Sequence, residues 1–159
     1  VQTKHLTLVP KSLQDVHAMI DAMSPSEKAQ LSADWLAQLH ASTHADPWVF
    51  GFSVVHSGAG LRIGHCGFKG PPSGDGVVEI AYGINHAHRL KGYATEAAGA
   101  LTSYAFADAR VRVVCAHTLP EPNASTRVLT KCGFRYIGEV IDPEDGLVWR
   151  WEKNREAGA

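Results

Sequence analysis

The chain has few cysteines, and none of them in a pattern. Cys66, Cys115 and Cys132 lie far apart, so there is no CxxC pair and no zinc-ligand spacing. An odd number of thiols in apolar contexts argues against a disulfide framework and for a cytosolic protein. Long apolar runs are missing as well; none approaches the ~20 residues that span a bilayer. The first residues lack the basic-then-apolar order of a signal peptide. Charge is scarce and balanced: 15 Lys and Arg stand against 16 Asp and Glu, for a net charge of −1. That balance offers no general attraction to nucleic acid or to an acidic membrane. Repeats, low-complexity tracts and dividing linkers are absent. What remains is a 159-residue chain with 45% apolar content, read as one domain over residues 1–159 that can bury its own core without staples.

The stretch from Val77 to Arg110 organises the chain. Val77 to Ile84 is apolar and β-prone, and it reads as a strand. Asn85 to Lys91 is a polar loop carrying two His, one Arg and one Lys. Gly92 opens a helix whose small apolar face comprises Ala94, Ala97, Ala98, Leu101 and Ala105. A strand, a basic loop and a glycine at a helix start make an anion site. The first N–H groups of a helix have no internal partners, and the helix dipole adds positive potential there. Gly92 lets a phosphate approach the backbone, while Arg89 and Lys91 bring full charges. A P-loop needs GxxxxGK[ST] and a dinucleotide fold needs GxGxxG; this stretch has neither.

What it has is Arg89-Leu-Lys-Gly92-Tyr-Ala94, continued by Thr95-Glu96-Ala97. This resembles the acyl-CoA pyrophosphate loop of the GNAT N-acetyltransferases, [QR]-x-x-G-x-[GA]. Further on, Ala124 to Phe134 reads ASTRVLTKCGF. It is similar to the N-x-A-S-x-R-V-L-x-K-x-G-F segment of the branch that acetylates N-termini of ribosomal proteins. Here Asn123 directly precedes Ala124, without the intervening residue. The resemblance runs from about Gly51 to Trp151. It implies an α/β (α+β) chain with the GNAT acyl-CoA N-acyltransferase fold: a mixed, mostly antiparallel sheet flanked by helices. It also implies acetyl-CoA as cosubstrate, bound by Gly83, Ile84, Arg89, Lys91, Gly92, Tyr93, Ala94, Thr95, Asn123 and Ser125. The partners are acetyl-CoA and an amine-bearing acceptor, such as a protein N-terminus or a small amine, in a monomer or homodimer.

The remaining elements follow in order. Lys4 to Val9 alternates and reads as a strand. Ser12 caps a helix to about Met23, and Ser24-Pro25 breaks it. Pro25 to Ala41 is helical with an interruption near Ser32. Trp48 to His56 and Leu61 to Phe68 read as two strands joined by Ser57-Gly-Ala-Gly60, so that with Val77–Ile84 they form a meander. Val111 to Thr118 is a strand reached through the long helix as a crossover. Asn123 or Ser125 caps a short helix that ends at Gly133. Tyr136 to Ile141 and Leu147 to Trp151 form the final hairpin, and the tail from Lys153 reads as frayed. His40 and His44 are four residues apart, but no third ligand shares their spacing, and no metal is assigned.

Acetyl transfer to an amine needs a proton acceptor, because a primary amine is mostly protonated near neutral pH. Glu79 is the one acidic residue in the organising strand and the first candidate; His117 on the next strand is the second. Backbone N–H groups near Gly83 and Ile84 are the candidate oxyanion donors. Many family members place a Tyr four residues before the glycine of the GF pair; Leu129 stands there and cannot donate a proton. A non-catalytic acyl-CoA-binding or sensing domain is the alternative function. A phosphate-binding module for another nucleotide is the third reading.

Overall fold

The computed structural model describes residues 1–41, 46–89 and 91–155. His44 and Leu90 lie outside the described residues, as do residues 156–159. Seven strands form one sheet: β1 (Leu6–Pro10), β2 (Phe52–His56), β3 (Leu61–Phe68), β4 (Val77–Ile84), β5 (Val113–Thr118), β6 (Arg135–Asp142) and β7 (Gly146–Asn154). Their order across the sheet is β1-β2-β3-β4-β5-β7-β6. Every neighbouring pair is antiparallel except β4 and β5, which are parallel. That exception follows from the crossover through α5 (Tyr93–Ala107), which returns the chain to the same end of the sheet. The expected meander is β2-β3-β4, and β3 and β4 have the bounds expected from the sequence.

Helix α5 lies on the sheet through its small face. Ala97, Ala98, Ala100, Leu101 and Ala105 are buried against Val78, Ile80 and Ile84 in one core. Alanine at these positions lets helix and sheet axes approach closely. Leu129, on α6 (Ala124–Lys131), is fully buried in the same core. A second, smaller core joins α1 (Leu13–Asp21), α3 (Ala33–Ala41) and α4 (Pro47–Phe50) through Val16, Leu39 and Phe50. Capping boxes open α1 at Ser12 and α2 (Pro25–Ala29) at Ser24. The break before α3 falls where expected, with the Ser32 hydroxyl accepting from the Trp35 N–H.

Three expectations fail. Trp48 to Phe50 is a helical turn rather than strand, because Asp46 caps it, Pro47 starts it and Gly51 ends it at φ 73°. Trp48 instead packs its ring on Phe68 and Tyr104. Strand β5 starts at Val113 rather than Val111, since the Val111 N–H closes a turn on the Asp108 carbonyl. The tail is anchored as far as Arg155. Lys153 and Asn154 belong to β7, and Arg155 donates to the Val111 and Asp108 carbonyls at 2.9 and 2.8 Å.

At Gly64 the β4 backbone leaves no room for a side chain: a Cβ would meet the Gly83 carbonyl and the Ile84 Cα. Gly64→Ala is expected to cost about 1–3 kcal/mol, the scale of overpacking. Gly99, inside α5, has open space around its missing Cβ; Gly99→Ala is expected to be neutral or to stabilise by up to about 1 kcal/mol. Denaturant midpoints at constant slope check both, and a neutral Gly64→Ala would refute the close approach.

Candidate functional site

The site begins where two strands part. β4 pairs with β5 only at Val77, Val78 and Glu79, opposite Val113, Val114 and Cys115. Beyond that point β5 stays with β7 through Thr118, and β4 stays with β3 through Ile84. A gap therefore opens within the sheet. Two bonds set the phase of its edge: Asn85 N–H to the Ile63 carbonyl at 2.7 Å, and Lys69 N–H to the Glu79 carbonyl at 3.0 Å. In an antiparallel ladder such pairs alternate. The backbone groups of Ala81 and Gly83 therefore point at β3, and those of Tyr82 and Ile84 point into the gap. Among the expected oxyanion donors, Ile84 presents its N–H to the gap and Gly83 does not; Tyr82 was not expected and does.

The N-terminus of α5 stands at the mouth of this gap. Gly92 is its N-cap at φ 82°, a left-handed conformation that favours glycine, and no side chain caps the helix there. Its first N–H groups thus face open space. Arg89 donates through Nε to the Ile84 carbonyl at 3.1 Å. That bond ties the basic loop to the end of β4 and leaves the terminal nitrogens of the guanidinium for a ligand.

A cleft of about 790 Å³ extends from the gap between α5 and α6. Gly83, Ile84, Arg89, Gly92, Tyr93, Ala94, Thr95, Asn123 and Ser125 all line it. Lys91 is exposed and does not. Asn123 also caps α6, its Oδ1 accepting from the Thr126 N–H at 3.0 Å. The sequence reading missed Tyr82, His88, Ala124, Arg127, Val128 and Lys131. Those on α6 were detectable: positions 124, 127, 128 and 131 form one helical stripe. Tyr82 was hidden by its place in an apolar strand. Burial pushes its phenol up to about 12, and the Ser125 hydroxyl works against that rise.

Glu79 and His117 do not line this cleft. Strand alternation puts them on the opposite face of the sheet from Ile80, Tyr82 and α5. They meet at the point of divergence. Glu79 Oε2 lies 3.0 Å from His117 Nδ1 and 3.1 Å from Lys69 Nζ. Nδ1 is buried without a well-aligned acceptor, so its contact with Glu79 is electrostatic rather than a linear hydrogen bond. Nε2 of His117 has no hydrogen-bond partner among the described residues. Burial pulls the Lys69 ammonium down, but the bond to Glu79 and the carboxylates of Asp145 and Asp142 hold it above its ordinary value. The same face carries Arg150, paired to Glu152 at 2.7 Å.

The thiols offer no nucleophile. Burial pushes Cys66 up to about 12 and Cys115 up to about 11, and Cys132 rises for the same reason.

Residues 4–135 match the acetyltransferase (GNAT) domain family. The uncharacterized N-acetyltransferase YjdG of Bacillus subtilis (strain 168) is 36% identical over 72 residues, covering 45% of this chain and 43% of that protein. The chain spans about half the length of the curated relatives it matches, between 43% and 52%. Among solved structures, a GNAT-family acetyltransferase from Bacillus anthracis superposes with a TM-score of 0.67 at 22% identity, covering 97% of each chain. Aminoglycoside acetyltransferase AAC(6′)-Ib in complex with coenzyme A and kanamycin gives a TM-score of 0.67 at 21% identity, covering 94% of this chain and 95% of that one. At such identity these two likenesses concern the fold. The family match covers most of the chain, and the chain belongs to the GNAT acetyltransferase family.

Proposed function

We propose that the chain is an acetyl-CoA-dependent N-acetyltransferase acting on a primary amine. The observation that carries this reading is the gap between β4 and β5 with the uncapped α5 N-terminus at its mouth. Gly92, Tyr93, Ala94 and Thr95 supply N–H groups and close backbone approach for a pyrophosphate, and Arg89 supplies the charge. An extended pantetheine arm in the gap would meet the free backbone groups of Tyr82 and Ile84, as an added strand would. The thioester then reaches the divergence point, and the acceptor amine approaches from the face of Glu79 and His117.

The chemistry needs one bond made and one broken. The amine nitrogen attacks the thioester carbonyl, whose oxygen gathers charge near the Tyr82 N–H, the gap-facing donor nearer the divergence point. The amine proton passes to His117 Nε2, with Glu79 orienting the imidazole from its Nδ1 side. An imidazole suits this role because one ring nitrogen can be held while the other accepts a proton. Collapse expels the CoA thiolate, and Leu129, fully buried, takes no part. Ser125 and the Tyr82 phenol are among the hydroxyls that line the cleft.

The acceptor is an N-terminal peptide or a small amine. The segment from Ala124 to Phe134 supports kinship with the ribosomal-protein branch, and AAC(6′)-Ib shows that the fold accommodates an amino sugar beside coenzyme A. Thiol release from acetyl-CoA across a panel of peptides, polyamines and amino sugars tests the enzyme reading. Tight CoA binding with no release for any amine would favour a sensor.

Gly92→Glu is expected to abolish CoA binding, because it adds bulk and like charge at the anion site. Gly92→Ala, which adds only left-handed strain of about 1–2 kcal/mol, should lower Tm and largely keep affinity. Calorimetry on both variants separates the roles; equal losses of affinity would mean that Gly92 only shapes the turn. Arg89→Ala should raise the Kd for CoA more than Lys91→Ala, since only Arg89 faces the cleft. The reverse order would displace the loop.

His117→Gln is expected to lower kcat about a hundredfold or more, the scale of general-base loss, with the Kd for CoA unchanged. The acidic limb of the rate–pH profile should flatten with it, because a general base works only in its unprotonated form. Glu79→Gln should cost less than His117→Gln, and the double variant no more than His117→Gln alone. Wild-type turnover in His117→Gln, with a large loss in Glu79→Gln, would make the carboxylate the base.

A further inference from the structure

Two separate sets of cations face the cleft. One is Arg89 at the α5 N-terminus. The other lies on the opposite wall, where α6 turns Ala124, Arg127, Val128 and Lys131 toward the same space. These positions follow the i, i+3, i+4, i+7 spacing of one helix stripe. Thr126 and Leu129, on the other side of α6, are buried. Packing against the core therefore fixes how the stripe is turned.

Arg127 and Lys131 are like charges at i, i+4, an arrangement that destabilises an isolated helix. Neither forms an ion pair among the described residues. Neither side chain is a hydrogen-bond donor to a described group. Lys131 in the last turn gains from the helix dipole; Arg127, at mid-helix, gains nothing comparable. Two unpaired cations that converge on one cleft fit a dianion.

We propose that Arg127 and Lys131 together bind the 3′-phosphate on the adenosine ribose of CoA, and so select CoA over its dephosphorylated form. The inference rests on the acyl-CoA reading and deepens it. The pyrophosphate is accounted for by the α5 N–H groups and Arg89. That leaves one phosphate monoester, a near-dianion at neutral pH, without a partner on the α5 wall. Arg127 offers a planar fork to two of its oxygens and Lys131 a point charge to the third. Val128 and Ala124, between and before them, give an apolar floor on which an adenine face can rest.

Calorimetric titration of CoA and of dephospho-CoA into wild-type protein and into Arg127→Gln/Lys131→Gln tests this. Wild type is expected to bind CoA about tenfold or more tightly than dephospho-CoA, the scale of charge-assisted hydrogen bonds. In the double variant the ratio should fall below about threefold, while affinity for dephospho-CoA stays near that of wild type. Added salt should shrink the wild-type ratio. Both side chains are exposed, so the variant should melt as wild type does; if it does not, Arg127→Gln and Lys131→Gln singly should each lose part of the ratio. Equal wild-type affinities for the two ligands, or a ratio that survives in the double variant, would overturn the inference and leave the acyl-CoA reading intact. Wild type that binds neither ligand would remove both.

Discussion

Everything at this site depends on how briefly β4 and β5 are joined. Three residue pairs hold them, at Val77, Val78 and Glu79. On one side, β4 is bound to β3 along five further positions; on the other, β5 is bound to β7 along all six of its residues. The sheet is thus two half-sheets sharing a short seam. Beyond the seam, the N–H and C=O groups of Tyr82 and the N–H of Ile84 face a gap instead of a neighbouring strand. Unpaired backbone groups in a buried sheet are costly. They are tolerated where a solvent-filled cleft, or a ligand that imitates a strand, satisfies them. An internal sheet edge of this kind is itself a binding site, and its hydrogen-bond pattern is set by the register of β3.

The seam also explains why the site has two faces with different chemistry. On the α5 side, the groups are helix N–H donors, cations and a few hydroxyls, which suit a phosphorylated ligand. On the other side, the groups are carboxylates, an imidazole and a lysine, which suit a basic amine. Strand alternation sorts them: Tyr82 and Ile84 go one way, Glu79 and Ala81 the other. The reacting atoms need to meet only within the gap, so neither ligand has to pass through the other's pocket.

Much of this was legible in the sequence, for identifiable reasons. The strand Val77–Ile84, the glycine at position 92 and the small face of α5 are strong local signals that the tertiary structure has no cause to override. Nine of the ten residues that the family resemblance implies for the cofactor line the cleft. What escaped notice was non-local or masked by stronger patterns. Trp48 looked like strand because it is aromatic and precedes β-branched residues, yet Asp46 and Pro47 start a helical turn. The β4–β5 seam depends on where each strand finds its other partner, which no local pattern encodes. The phase of β4, which turns Ile84 and not Gly83 into the gap, depends on the register with β3. Arg127 and Lys131 were legible as a helical stripe, but their purpose appears only when α5 stands opposite.

The contact between Glu79 and His117 lies on the seam itself, and this gives it two physical roles. Glu79 belongs to β4 and His117 to β5, so their 3.0 Å approach clamps the half-sheets at the last point where they pair. Lys69, reaching from the segment between β3 and β4, fixes the same carboxylate oxygen from the other side. A carboxylate held by two partners is a poor candidate to leave them and collect a proton, because doing so would release the clamp. The imidazole is under no such constraint. Its Nδ1 side is fixed and buried, whereas Nε2 carries no described partner. Holding one nitrogen and leaving the other open is how a histidine is made directional. On the proposed reading, the clamp and the proton acceptor are the same pair of residues, because the groups that close the seam also stand where the gap begins.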